Sequence, residues 1–128
     1  MELTIEQALQ QGVTAHKEGK LQEAHSLYRA ILQFQPAHPD ANYNLGVLAV
    51  SVNKAYMALP LFKTALEANP NLEQFWLSYI DALIKENQLE TAKVVLEQSR
   101  KVLLVGDKID ALESQLKQIM QSALPKSP

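Results

Sequence analysis

One spacing governs what this chain can fold into: residues of like kind recur every 34 positions. Gly12 is followed by Gly46, Ala24 by Ala58 and Pro36 by Pro70. Tyr28 is followed by Phe62, one aromatic replacing another. Carried onward, the step leads from Ala58 to Ala92, from Phe62 to Leu96 and from Asn42 to Trp76. Independent pairs that agree on one period mark an internal repeat. A unit of that length buries its apolar face only by stacking on its neighbours.

Inside each period the apolar residues fall three and four apart, which is helical spacing. The pattern predicts helices over 4–18, 21–34, 39–52, 55–68, 72–86, 89–104 and 107–122. Thr4 with Gln7 reads as a capping box opening the first helix. Gly19 supplies a permissive turn, and Pro36, Pro39 and Asn69-Pro70-Asn71 mark breaks. Small residues at Gly12, Gly46, Ala24 and Ala58 let paired helices approach. Large ones, among them Leu27, Tyr28, Ile31, Leu61, Phe62, Leu66, Trp76 and Leu96, are expected to fill the space between hairpins. Pro60 is the misfit, because a proline inside a helix removes a hydrogen bond and bends the rod.

Period and residue types together resemble the tetratricopeptide repeat. The second unit carries Leu45-Gly46, Ala58, Phe62, Ala65 and Pro70, and the first carries Gly12, Gly19, Ala24, Tyr28 and Pro36. The third keeps Trp76, Ala92 and Leu96 but has Tyr79-Ile80, Ser99 and Leu104 where the family has Leu-Gly, alanine and proline. The resemblance implies an all-α fold, an α-solenoid of three helix-turn-helix hairpins. Its domain covers 1–123, with repeats at about 5–38, 39–72 and 73–106 and a capping helix at 107–123. Residues 124–128 read as a tail or the start of a linker.

Bulk composition narrows the function. Among 128 residues the formal net charge is −2 and there is no cysteine. No basic stripe exists to hold nucleic acid, and no apolar run is long enough to cross a bilayer. Disulfides, thiolate metal sites and a cysteine nucleophile are excluded. The N-terminus has no basic start followed by an apolar block, so a cytoplasmic protein is expected. His16, His25 and His38 lack a ligand-type partner four residues away, the four glycines stand singly, and no Gly-x-Ser-x-Gly elbow occurs. No catalytic residue, metal site or cofactor is expected.

In a tetratricopeptide array the first helix of each hairpin lines a concave face. Helical spacing brings Leu9 and Val13 to that face from the first hairpin. It brings Tyr43, Asn44, Val47 and Val50 from the second, and Gln74, Leu77, Ser78 and Asp81 from the third. This is an apolar groove with one central amide, suited to a peptide or protein partner. The family's clamp for a chaperone's C-terminal carboxylate needs lysine, arginine and asparagine. Its basic positions fall on Leu9, Gln74 and Ser78, and its second asparagine falls on Val13, so only Asn44 matches. Without those cations a carboxylate lacks charge-assisted bonds. The expected function is therefore a protein-interaction module without the basic clamp, with Asn44 donating and accepting through its amide.

Two other uses stand beside that reading. The stretch Phe75 to Ile84 is similar to repeats that precede bacterial glycosyltransferase-like or sulfotransferase-like domains, which implies the recognition module of a longer chain. The last segment has apolar residues at Ile109, Leu112, Leu116, Ile119 and Ala123. That spacing suits a cap over the third hairpin, or else a seam for self-assembly, with a homodimer formed through the C-terminal helix or the repeat ends.

Overall fold

A computed structural model describes residues 2–103 and 106–123. Within them are seven α-helices and no strand: α1 (Ile5–Lys17), α2 (Leu21–Phe34), α3 (Pro39–Ser51), α4 (Ala55–Ala68), α5 (Glu73–Lys85), α6 (Leu89–Val102) and α7 (Asp107–Ala123). Leu104, the Ala123 side chain and the tail from Leu124 to Pro128 lie outside the described residues. Helices pair as α1–α2, α3–α4 and α5–α6, and each pair stacks on the next, with α7 resting on α5 and α6.

Local chemistry sets the helix ends. Thr4 and Gln7 form a reciprocal capping box, with bonds of 2.9 and 3.0 Å. The turn inside each hairpin needs one left-handed residue. Gly19 takes it at φ 79°, Asn53 at 62° and Asn87 at 57°, each 34 residues after the last. Asparagine tolerates this region better than other side chains, so the second and third turns do without glycine. α4 runs on through Pro60 without interruption.

The linkers between hairpins share a second device. The Asn42 amide donates to the Pro36 carbonyl at 3.0 Å, and the Trp76 indole N–H donates to the Pro70 carbonyl at 2.7 Å. Donors and acceptors both keep the 34-residue step. Asn42 and Trp76 are both buried, so each side chain carries its donor inside and satisfies a carbonyl that the proline break would leave unpaired. Trp76 packs with Leu66, Phe75, Ile80 and Leu83, which joins the second hairpin to the third.

Packing within the hairpins sharpens one expectation. Tyr28 clusters with Leu45 and Leu48 of the next hairpin and Phe62 with Ala82, and each ring also lies over the glycine of its own hairpin. A Cβ on Gly12 would stand 2.5 Å from the Tyr28 ring, and one on Gly46 would stand 2.4 Å from the Phe62 ring. The aromatic therefore occupies volume that any other residue would claim. Ala24 and Ala58, both fully buried, sit one turn before these rings. In the third hairpin the partners at the same steps are Ile80 and Leu96, both buried. Volume has moved from one helix to the other while the total stays apolar. Ser99 replaces the usual alanine there, and its buried hydroxyl donates to the Leu96 carbonyl at 2.6 Å. The Tyr28 hydroxyl is buried and has no hydrogen-bond partner among the described residues. Burial pushes its pKa above the ordinary value of 10.0.

α7 is tied down at its start. Arg100 of α6 reaches Asp110 at 2.7 Å and Glu113 at 3.3 Å, while Ile109 and Leu116 are buried against the third hairpin. Leu112 and Ile119 pack beside them.

Candidate functional site

The first helices α1, α3 and α5 carry all ten residues expected at the groove. Nine are half-buried and Gln74 is exposed. Their surroundings divide them into three groups.

The first group is held mainly by packing. Leu9 lies against two buried clusters of the first hairpin that contain Ala8, Ala15 and Tyr28. Val47 and Val50 pack on Ala58, Phe62 and Ala82, at the junction of the second and third hairpins. Tyr43 stacks on Phe75 at 4.7 Å between ring centroids and meets Phe62 at 5.5 Å. Part of each side chain thus serves the core, and the exposed remainder makes a shallow apolar floor.

A polar chain forms the second group. The Tyr43 hydroxyl bonds to the Ser78 hydroxyl at 2.9 Å, and the Gln74 amide donates to the same Ser78 oxygen at 3.2 Å. α3 and α5 are thereby fixed to each other across the candidate site. Sequence spacing puts Tyr43 and Ser78 on neighbouring helices, but nothing in it announces their bond.

The third group faces outward with local partners. Asn44 donates from its amide to the Asp40 carbonyl one turn back at 2.8 Å, so that donor is engaged within its own helix. Its carbonyl oxygen carries the stronger offer to a ligand. Asp81 pairs with Lys85 at 3.1 Å, which neutralises the carboxylate. Val13 is half-buried and belongs to none of the buried clusters above.

The groove expected from spacing ends at α5, and the surface does not. Gln74, Leu77, Ser78 and Asp81 line a depression of about 360 Å³ together with Lys108, Ala111, Leu112 and Gln115 of α7. The second four are the first four carried one period onward. α7 is thus the first helix of a fourth unit in register, and the signal that finds it is the same step of 34. Lys108 adds a cation at that end, one period beyond Gln74. Among the described residues, no three of His, Asp and Glu gather as a metal site requires, and no helix is long and apolar enough to cross a membrane.

No family model matches the chain, and no curated protein matches it. Solved structures match its fold closely. The Sgt2 TPR domain from Aspergillus fumigatus superposes with a TM-score of 0.81 over 97% of this chain and 86% of that one, at 17% identity. The first TPR of Spaghetti (RPAP3), bound to an HSP90 peptide, gives 0.77 over 89% and 93%, at 18% identity. The type III secretion chaperone SycD of Yersinia enterocolitica, in complex with a peptide of the translocator YopD, gives 0.74 over 95% and 93%, at 14% identity. At such identities the likeness concerns the fold, and the fold is the tetratricopeptide-repeat solenoid that the spacing predicts.

Proposed function

We propose that this tetratricopeptide-repeat array is a non-catalytic interaction module that holds a segment of a protein partner on the face formed by α1, α3, α5 and α7. The observation that carries the reading is the row of half-exposed apolar side chains Val13, Val47, Val50 and Leu77, interrupted by amides and hydroxyls and by few unpaired charges. A surface of that kind gains affinity from apolar contact and uses its polar groups to fix the bound backbone. Two proteins of this fold are described with a bound peptide, one from HSP90 and one from YopD, which supports the use of the array for peptide capture. The basic clamp is absent from Leu9, Val13, Gln74 and Ser78, so the partner of this chain is selected by apolar side chains rather than by a terminal carboxylate.

Modest salt dependence follows, since few ion pairs form in the complex. A partner recovered with the native protein tests the reading by calorimetry. Val47→Asp sets a charge against apolar surface and is expected to weaken binding by about 2 kcal/mol or more. Asn44→Ala is expected to cost about 1 kcal/mol through a lost acceptor. Native affinity in both variants, with intact folds, removes the partner from this face.

A further inference from the structure

A second depression lies on the other side of α3. Positions 45, 48, 49 and 52 stand roughly opposite 43, 47 and 50 on a helix of 3.6 residues per turn. There, α2, the end of α3 and the start of α4 enclose about 440 Å³. Its floor is Leu45 and Leu48, both buried, and its lip carries Leu21, Val52 and Met57. These three are 37%, 40% and 50% exposed. Single exposed aliphatic residues are ordinary on any surface, whereas these three gather around one hollow.

The charges around that hollow have one sign. Arg29 and Lys54 line it beside His25, and no carboxylate does. Neither Arg29 nor Lys54 has an ion-pair partner among the described residues. The whole chain is net negative, so this is a local excess against the general trend. α4 also opens here without a side-chain cap or an acidic residue in its first turn, and the positive end of its dipole faces the same lip. Pro60, which the repeat pattern leaves unexplained, presents its ring to this cleft.

Internal symmetry shows that the fold alone does not dictate this character. Two periods onward, between α6 and α7, a similar hollow is lined by charges of both signs, Glu90, Glu97 and Glu113 at the steps of Gln22, Arg29 and Leu45, with Lys93 and Lys117 at the steps of His25 and Ala49. The apolar floor with a cationic rim therefore belongs to the particular residues of the first two hairpins.

We propose that this cleft is a second docking surface, separate from the concave face, for a short acidic segment of a partner protein. A large aliphatic or aromatic side chain of that segment seats on Leu45 and Leu48, and flanking carboxylates meet Arg29 and Lys54. A hollow of this volume lies within the usual range for pockets that hold one compact ligand group, and complementary charge sets selectivity and capture rate.

Display of a random peptide library tests it, with the full chain as bait and Arg29→Glu/Lys54→Glu as the counter-selection. Peptides kept by the native protein and lost by the variant are expected to combine Asp or Glu with Leu, Ile or Phe. One such peptide, synthesised and titrated, should bind the double variant roughly tenfold more weakly or worse, and Val47→Asp within about twofold of native. The milder Arg29→Gln/Lys54→Gln should rank between, so a folding defect in the reversal leaves the test intact. The proposal is overturned if no peptide distinguishes native from variant, or if those that do lack carboxylates. It is also overturned if Val47→Asp abolishes their binding. It fails as well if charge reversal alters only self-association in sedimentation or binding to phosphatidylserine vesicles.

Discussion

α3 and α7 occupy the same place in the repeat, two periods apart, and they treat their outer faces in opposite ways. On α3 that face carries Leu45, Leu48, Ala49 and Val52; on α7 the matching steps carry Glu113, Leu116, Lys117 and Met120. Leu45 is 5% exposed beneath α2 and α4. Glu113 and Lys117 instead pair with each other at 3.7 Å along the helix, facing an open hollow. Of these four only Leu116 is buried, and with Ile109 it anchors α7 on the third hairpin. α7 thus keeps the register of the repeat and changes the polarity of one face. The inner faces differ less. Tyr43, Asn44 and Val47 on α3 give way to Ala111, Leu112 and Gln115 on α7, so the candidate groove runs on past the point where the outer stacking stops.

The largest effect that probes this comparison is at the glycine step. Gly46→Ala drives a Cβ into the Phe62 ring and is expected to cost about 2–3 kcal/mol through overpacking, more than the roughly 1 kcal/mol that alanine returns as a better helix former. Ser114→Ala, at the same step on exposed α7, is expected to change stability by no more than about 0.5 kcal/mol. Chemical denaturation of both variants measures the contrast. Phe62→Leu added to Gly46→Ala imitates the volume exchange of the third hairpin and should recover part of the loss. Strict additivity of the two changes breaks the idea that ring and glycine share one volume.

A smaller effect separates the first hairpin from the second. Tyr28→Phe deletes a hydroxyl that is buried without a partner and copies the residue at Phe62, so it should be neutral or stabilise by about 1 kcal/mol. The pH response has a definite sign. A tyrosine whose folded pKa is raised stays neutral in the native state while the unfolded chain ionises, so native stability falls as pH rises above about 10. Burial raises Tyr28 and Tyr79 alike, with Glu67 adding to the latter, so the Tyr28→Phe variant should lose less stability there without becoming flat. Thermal melts from pH 8 to about 11 report it, and equal slopes in both proteins would count against an orphaned hydroxyl.

The smallest change in stability comes with the clearest change in behaviour. Glu113→Leu with Lys117→Ala gives α7 the outer face of α3. Losing the exposed pairs of Glu113 with Lys117 and with Arg100 costs about 1 kcal/mol, yet the new apolar strip should drive self-association. Sedimentation that finds the variant no more associated than the native chain would mean that the two charges are not what keeps this face of α7 from stacking.

The parts of this structure legible in sequence are those that repeat. Helix positions agree with the expected spans to within about two residues, as is usual for helix ends, and the capping box at Thr4 follows from residue type alone. Features that depend on what lies opposite a side chain were not legible. Asn53 and Asn87 stand one and two periods after Gly19, yet residue type does not announce their left-handed backbone. Tyr43 reads as a groove residue because its helical position is right, but its ring is stacked on Phe75 and its hydroxyl is bonded to Ser78. The Asn44 amide returns to its own helix, which local geometry decides and spacing does not. The contribution of α7 to the site was within reach of the period, and was hidden because its apolar steps describe a cap equally well.

The proposed partner lies along α1, α3, α5 and α7 on the inner face. Amide chemical-shift mapping tests it most directly, with a partner segment recovered by the native chain titrated into isotope-labelled protein. The largest shifts are predicted to fall at Val13, Val47, Leu77 and Ser78, to extend to Ala111 on α7, and to vanish in Val47→Asp. Shifts confined to α2, α4 and α6, with those inner positions unmoved, would contradict it.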